Sequence, residues 1–162
     1  MASPLMINGE SVTIEQTTNA EETILKRELA AQIRFIEDGF ECAELRAGQL
    51  PVKLAEFLEG YFKHEASKIN IAQNETARRL WDEYAEGPHG GWRAAGKTSE
   101  RNLKEFANAL GEASLTVFLD HTGGAGMVEI IWGNTELFLG HSIFTHIHDP
   151  AIWTEFDATL FG

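Results

Sequence analysis

The chain is 162 residues long, with 25 carboxylates against 13 Lys and Arg and a formal charge of −12. That length suits one domain, whose folding buries about 70% of the unfolded chain's surface; the acidic balance disfavours direct contact with nucleic acid, which calls for a basic face. A hydrophobic content of 43% argues against global disorder, and no apolar run reaches the roughly 18 residues of a membrane span.

The start, Met1-Ala2-Ser3-Pro4-Leu5-Met6, lacks the basic-then-apolar pattern of a signal peptide. Cys42 is the single cysteine, so no internal disulfide forms. A lone thiol suits a reducing compartment, and the expected location is cytoplasmic. Cys42 itself reads as a small buried apolar side chain.

Residues 1–17 read as a flexible tail with a short strand at Ser11-Val12-Thr13-Ile14, followed by a single α+β domain over 18–162. Thr18-x-x-Glu21 has the spacing of a capping box. Leu25, Leu29, Ile33 and Ile36 follow at helical spacing up to Gly39, which predicts a helix over about 19–38. Pro51 suits the first turn of a second helix, with Leu54, Phe57, Leu58, Tyr61 and Phe62 as its apolar stripe. A third helix is predicted over about 70–86, with Ala77, Leu80, Trp81 and Tyr84 on one face. After a Gly- and Pro-rich loop at 87–91, Thr98 or Ser99 caps a fourth helix carrying Leu103, Phe106, Ala107 and Leu110, which Gly111 ends.

Beyond Gly111 the pattern turns to strands. Leu115–Leu119, Met127–Trp132 and Thr135–His148 read as strands, the last two joined by a hairpin at Gly133-Asn134, with a short helix after Pro150. The predicted architecture is therefore α+β: an N-terminal layer of about four helices packed on a small C-terminal antiparallel sheet.

Charge is unevenly spread. Lys104 is the last basic side chain; Glu105–Gly162 holds eight carboxylates and four of the six histidines. Glu129, Glu136, Asp149 and Glu155, with Trp153 as an exposed aromatic anchor, are the candidate surface for a basic protein partner. The four tryptophans read mainly as core, with Trp92 and Trp153 beside loops; exposed aromatics also allow a homodimer.

Strand alternation from Leu137 places Leu139, His141, Ile143, Thr145 and Ile147 on an inner face, and Phe144, His146 and His148 on the other. His-x-His on one strand face suits two ligands of a metal ion, zinc or manganese, with Asp149 and Asp157 as a carboxylate ligand or support. Asp120-His121 offers further donors. Pairing across Gly133-Asn134 puts Glu129 opposite Phe138, roughly 26 Å from His146, and so outside such a site. Thr145-His146-Ile147-His148-Asp149-Pro150 with Thr154-Glu155-Phe156-Asp157 partly resembles the zinc signature of JAMM/MPN-type metalloproteases, His-x-His-Pro then Ser-x-x-Asp. It departs from that signature in the inserted Asp149, in Thr154 for the serine and in a shorter gap, so membership is not assigned.

Gly91-Trp92-Arg93-Ala94-Ala95-Gly96-Lys97-Thr98 matches the phosphate-loop spacing, with Gly96, Lys97 and Thr98 as candidate phosphate contacts. Its setting differs, because the preceding segment reads as helix where such a loop follows a buried strand. Three functions follow as expectations. The first is a non-enzymatic acidic protein that occupies the basic face of a nuclease or other nucleic-acid-handling complex, with the size and charge of immunity proteins and phage-encoded inhibitors of host defence. The second is a small metal-dependent hydrolase using His146 and His148. The third is a nucleotide- or phosphate-binding protein.

Overall fold

The computed structural model describes residues 3–7, 10–16, 22–27, 30–37, 50–86 and 102–162. They form eight strands, β1 (Ser3–Ile7), β2 (Glu10–Gln16), β3 (Glu22–Arg27), β4 (Ala30–Glu37), β5 (Ala113–Leu119), β6 (Ala125–Trp132), β7 (Ser142–Asp149) and β8 (Thr154–Phe161). Three α-helices, α1 (Val52–Lys63), α2 (Glu65–Glu86) and α3 (Leu103–Ala109), lie between β4 and β5 in the chain. The strands pair in chain order within one sheet. None of the described helices is long and apolar enough to cross a membrane. The mixed α and β character agrees with the sequence reading; the order of elements does not.

The chain divides into two units, one made of Met1–Glu65, Leu115–Glu129 and Ile147–Thr154, the other of Ala66–Ser114, Ile130–His146 and Glu155–Gly162. In the first unit the segment read as a tail carries two strands, β1 pairing antiparallel with β2 from Ser3↔Ile14 to Ile7↔Glu10, and the short strand expected at Ser11–Ile14 lies within β2. The predicted helix over 19–38 is likewise two strands, β3 pairing with β2 and with β4. The reason is visible in β4: Ile33 and Phe35 are buried and two apart, so they serve period 2 as well as Ile33 and Ile36 serve helical spacing. Long-range pairing decides between them. β4 runs parallel to β5 in the register Ile33↔Leu115, Phe35↔Val117, and Leu115, Val117 and Leu119 are buried. A parallel pair needs a long crossover, and the three helices occupy it. The sheet is therefore mixed rather than antiparallel, and the helices are central rather than N-terminal.

α1 forms as its sequence predicts. Pro51 stands at the N-cap, where its carbonyl accepts from Ala55 N at 2.9 Å, and Leu54, Leu58 and Tyr61 are buried at spacings of four and three. Tyr61 meets Trp153 with ring centroids 5.8 Å apart.

In the second unit α2 begins at Glu65, earlier than predicted, and buries Ala72, Thr76, Ala77, Leu80 and Tyr84. Tyr84 and Phe106 of α3 lie edge to face at 4.5 Å, and both reach Phe138. A buried hydrogen-bond chain crosses this core. Thr76 Oγ1 donates its one proton to Ala72 O at 2.7 Å. Thr145 Oγ1, in contact with Thr76 Oγ1, must therefore donate there, and it accepts Trp132 Nε1–H at 2.8 Å. Proton direction is thus fixed along Trp132, Thr145, Thr76 and Ala72. Every polar atom on this route has a partner, and no described buried side-chain polar atom lacks one.

The cap of α3 is Asn102, in extended conformation, whose Oδ1 accepts from Glu105 N at 2.9 Å; Thr98 and Ser99, the predicted caps, lie outside the described residues. The helix ends where predicted, with Gly111 at φ 88°. Gly133-Asn134 is not a hairpin turn. Asn134 N donates to Leu110 O at 3.0 Å and its Nδ2 to Ala109 O at 2.7 Å, which satisfies two terminal carbonyls of α3. The chain then makes a 3₁₀ turn at Glu136–Phe138 that buries both Leu137 and Phe138 and exposes Leu139, so alternation begins only at Ser142. No helix follows Pro150. β7 and β8 are neighbouring strands, and the chain reverses over 150–153, with Trp153 at φ 58° and Glu155 at φ 62°.

Gly111 offers a direct check of the Asn134 clasp. A Cβ there would sit 3.0 Å from Asn134 N on a backbone that already needs positive φ. Gly111→Ala is expected to destabilise the protein by about 1–2 kcal/mol or more, read as a lower urea midpoint. An unchanged midpoint would mean that the clasp does not hold this junction.

Candidate functional site

The alternation of β7 positions its functional side chains. Ile143, Thr145 and Ile147 are buried, Phe144 and His146 are half-buried, and His148 is exposed. The faces thus fall as predicted from Ser142 onward. On the outer face Phe144 stacks on Phe161 of β8, centroids 5.5 Å apart and planes within 8°. Phe144 also meets the His146 ring edge to face at 6.3 Å.

His146 Nδ1 lies 3.0 Å from Asp157 Oδ1. A carboxylate accepts only, so an ionised Asp157 places the proton on Nδ1 and orients the ring. This is how a carboxylate supports a metal-bound histidine, but the structure goes no further in that direction. Among the described residues no group of three or more His, Cys, Asp or Glu could hold a metal ion. Of the predicted donors, His146 and Asp157 are brought together, while Asp149 ends β7 half-buried and His148 is exposed.

Asp120 is used locally. Its Oδ1 accepts from Thr122 N at 2.8 Å, Thr122 Oγ1 at 2.6 Å and Gly124 N at 3.0 Å, which closes the turn between β5 and β6. The Thr122 hydroxyl, then the backbone N–H groups of Thr122 and Gly124, hold its carboxyl below the ordinary aspartate range, with a smaller contribution from His121. The neighbouring His121 is exposed.

The candidate partner-binding residues are dispersed over several elements. Glu136 at the 3₁₀ turn and Glu155 at the start of β8 are exposed, while Glu129 on β6 and Asp149 are half-buried. Trp153 is not the exposed anchor expected. It is 4% exposed and packs on Tyr61, because the left-handed turn before β8 folds the ring inward. The exposed aromatic in this part of the chain is Phe161, at 67%. Strands β5–β8 carry no Lys or Arg. The candidate phosphate contacts Gly96, Lys97 and Thr98, and Trp92, lie outside the described residues; the segment before that loop, α2, is helical as its sequence reads.

Two features escaped the sequence reading. One is the Thr76–Thr145–Trp132 chain, signalled only by a threonine on the otherwise apolar inner face of β7. The other is the Phe144–Phe161 stack, which depends on β8 being a strand.

No known protein family, curated protein or solved structure matches the chain.

The Asp120 turn has a defined pH signature. Its folded pKa is depressed, so its contribution is present above the unfolded value and is lost as pH falls through the folded one. Asp120→Ala is expected to lower the melting temperature at neutral pH, by the equivalent of about 1 kcal/mol. The gap to the parent protein should narrow below about pH 4. A gap that stays constant down to about pH 2 would contradict this role.

Proposed function

We propose that the protein is a non-enzymatic binding protein that uses an acidic surface on its C-terminal strands to occupy the basic face of a protein partner. A nuclease or another nucleic-acid-handling complex has such a face, and a protein that covers it acts as an immunity or anti-defence inhibitor. The observation that carries this reading is the charge of β5–β8 and their connections: carboxylates at 120, 129, 136, 149, 155 and 157, no Lys or Arg, and exposed Asp120, Glu136 and Glu155. Like-signed charge along these strands raises the association rate with a basic partner and discriminates against acidic ones.

The second reading is a metal-dependent hydrolase at His146 and His148, for which the His146–Asp157 contact is the supporting observation.

Immobilised protein is expected to retain a basic partner at about 50 mM salt and to release it at about 0.5 M, where the Debye length falls to a few ångströms. Glu136→Gln and Glu155→Gln together should lower the association rate by about threefold or more with the circular dichroism spectrum unchanged. If no basic protein is retained, or retention ignores both salt and these substitutions, the reading falls.

A further inference from the structure

Resting on that binding reading, we propose that β8 is the docking edge, and that an extended basic segment of the partner adds to it as a further strand. β8 ends the strand order, so its outward N–H and C=O groups are not taken up by another of the described strands. Natural sheet edges are commonly guarded by Lys, Pro or a charge. Thr154–Phe161 contains no Lys, Arg or Pro, and its last four residues, Ala158-Thr159-Leu160-Phe161, are uncharged. Thr159 is exposed, and Phe161 is 67% exposed beside Phe144. The second half of β8 is therefore an uncharged, strand-forming edge with an aromatic platform at its end.

Charge identifies the occupant. The other end of β8 carries Glu155 and Asp157. A second copy pairing through its own β8 would bring carboxylates into a ribbon that has no Lys or Arg on either side. Like charges across strands are unfavourable, whereas opposite charges across strands are favourable. A segment with Lys or Arg on the face it shares with Glu155 and Asp157, and an apolar residue further along that same face, satisfies both ends of β8: cations beside the carboxylates and an apolar side chain against the Phe144–Phe161 stack. Backbone pairing supplies affinity and the alternating side chains supply selectivity, as in other cases of strand addition.

The test uses the full chain and synthetic peptides about as long as β8, roughly eight residues, with Lys at alternate positions in one half and Val elsewhere. Three forms are compared: the parent peptide, the same peptide methylated on its backbone amides, and a Glu–Val counterpart. The parent peptide is expected to bind, to weaken with salt, and to slow amide hydrogen exchange in 154–161. Methylation, which removes the peptide's donors and leaves its charge, should weaken binding by about tenfold or more, and the Glu–Val peptide should not bind. Because methylation alters only the peptide, this arm does not depend on any variant folding.

If the methylated peptide binds as tightly as the parent, strand addition is overturned while the acidic-surface reading stands. If no basic peptide binds although a basic protein partner is retained, the edge is likewise not the docking site. A concentration-dependent dimer whose β8 amides are protected without peptide would assign the edge to a second copy and overturn the proposal.

Discussion

The second unit is organised by one buried threonine. Thr145 lies between two apolar residues of β7, is fully buried, and links β6 through Trp132 to α2 through Thr76. A hydroxyl in such a place is costly unless both its donor and its acceptor functions are met. Here both are met, and only one proton arrangement does so, because Thr76 has already given its proton to Ala72. That constraint sets which face of β7 turns inward, since a slip by one residue would bury Phe144 and His146 in place of Ile143, Thr145 and Ile147. The outward positions of His146 and Phe144, and so their partners Asp157 and Phe161 on β8, follow from it.

Around this fixed strand the polar side chains mostly serve the fold. Asp120 closes a turn, Asn134 caps the end of α3, and Asn102 caps its start. The proposed recognition role falls on the solvent-facing charge of the last four strands and on the edge at β8. On the proposed reading, strands with carboxylates and no Lys or Arg of their own would favour speed and selectivity of encounter with a basic partner. Backbone pairing along β8 would add the short-range contact that charge alone lacks.

The legible parts of the sequence were those governed by local rules. α1 follows from Pro51 and the spacing of Leu54, Leu58 and Tyr61, and the inner face of β7 from simple alternation. Gly111 marks the end of α3 because that position needs positive φ. The misread parts were those where distant pairing outweighs local pattern. Ile33, Phe35 and Ile36 fit both periods, and only the parallel partner β5 selects the strand. Gly133-Asn134 has the composition of a hairpin, but Asn134 is drawn away by two helix-terminal carbonyls that sequence does not place beside it. Trp153 looked exposed beside a proline-containing turn and is buried because a left-handed backbone turns it onto Tyr61.

The most direct test of this account is a double-mutant cycle on Thr76→Val and Thr145→Val, read by urea unfolding. If the two hydroxyls form one directed chain, each single change strands a buried partner, and the double variant is less destabilised than the sum of the singles. The expected coupling is about 1 kcal/mol or more. Effects that add to within about 0.5 kcal/mol would show that the two threonines act independently, and that β7 is held by its apolar neighbours alone.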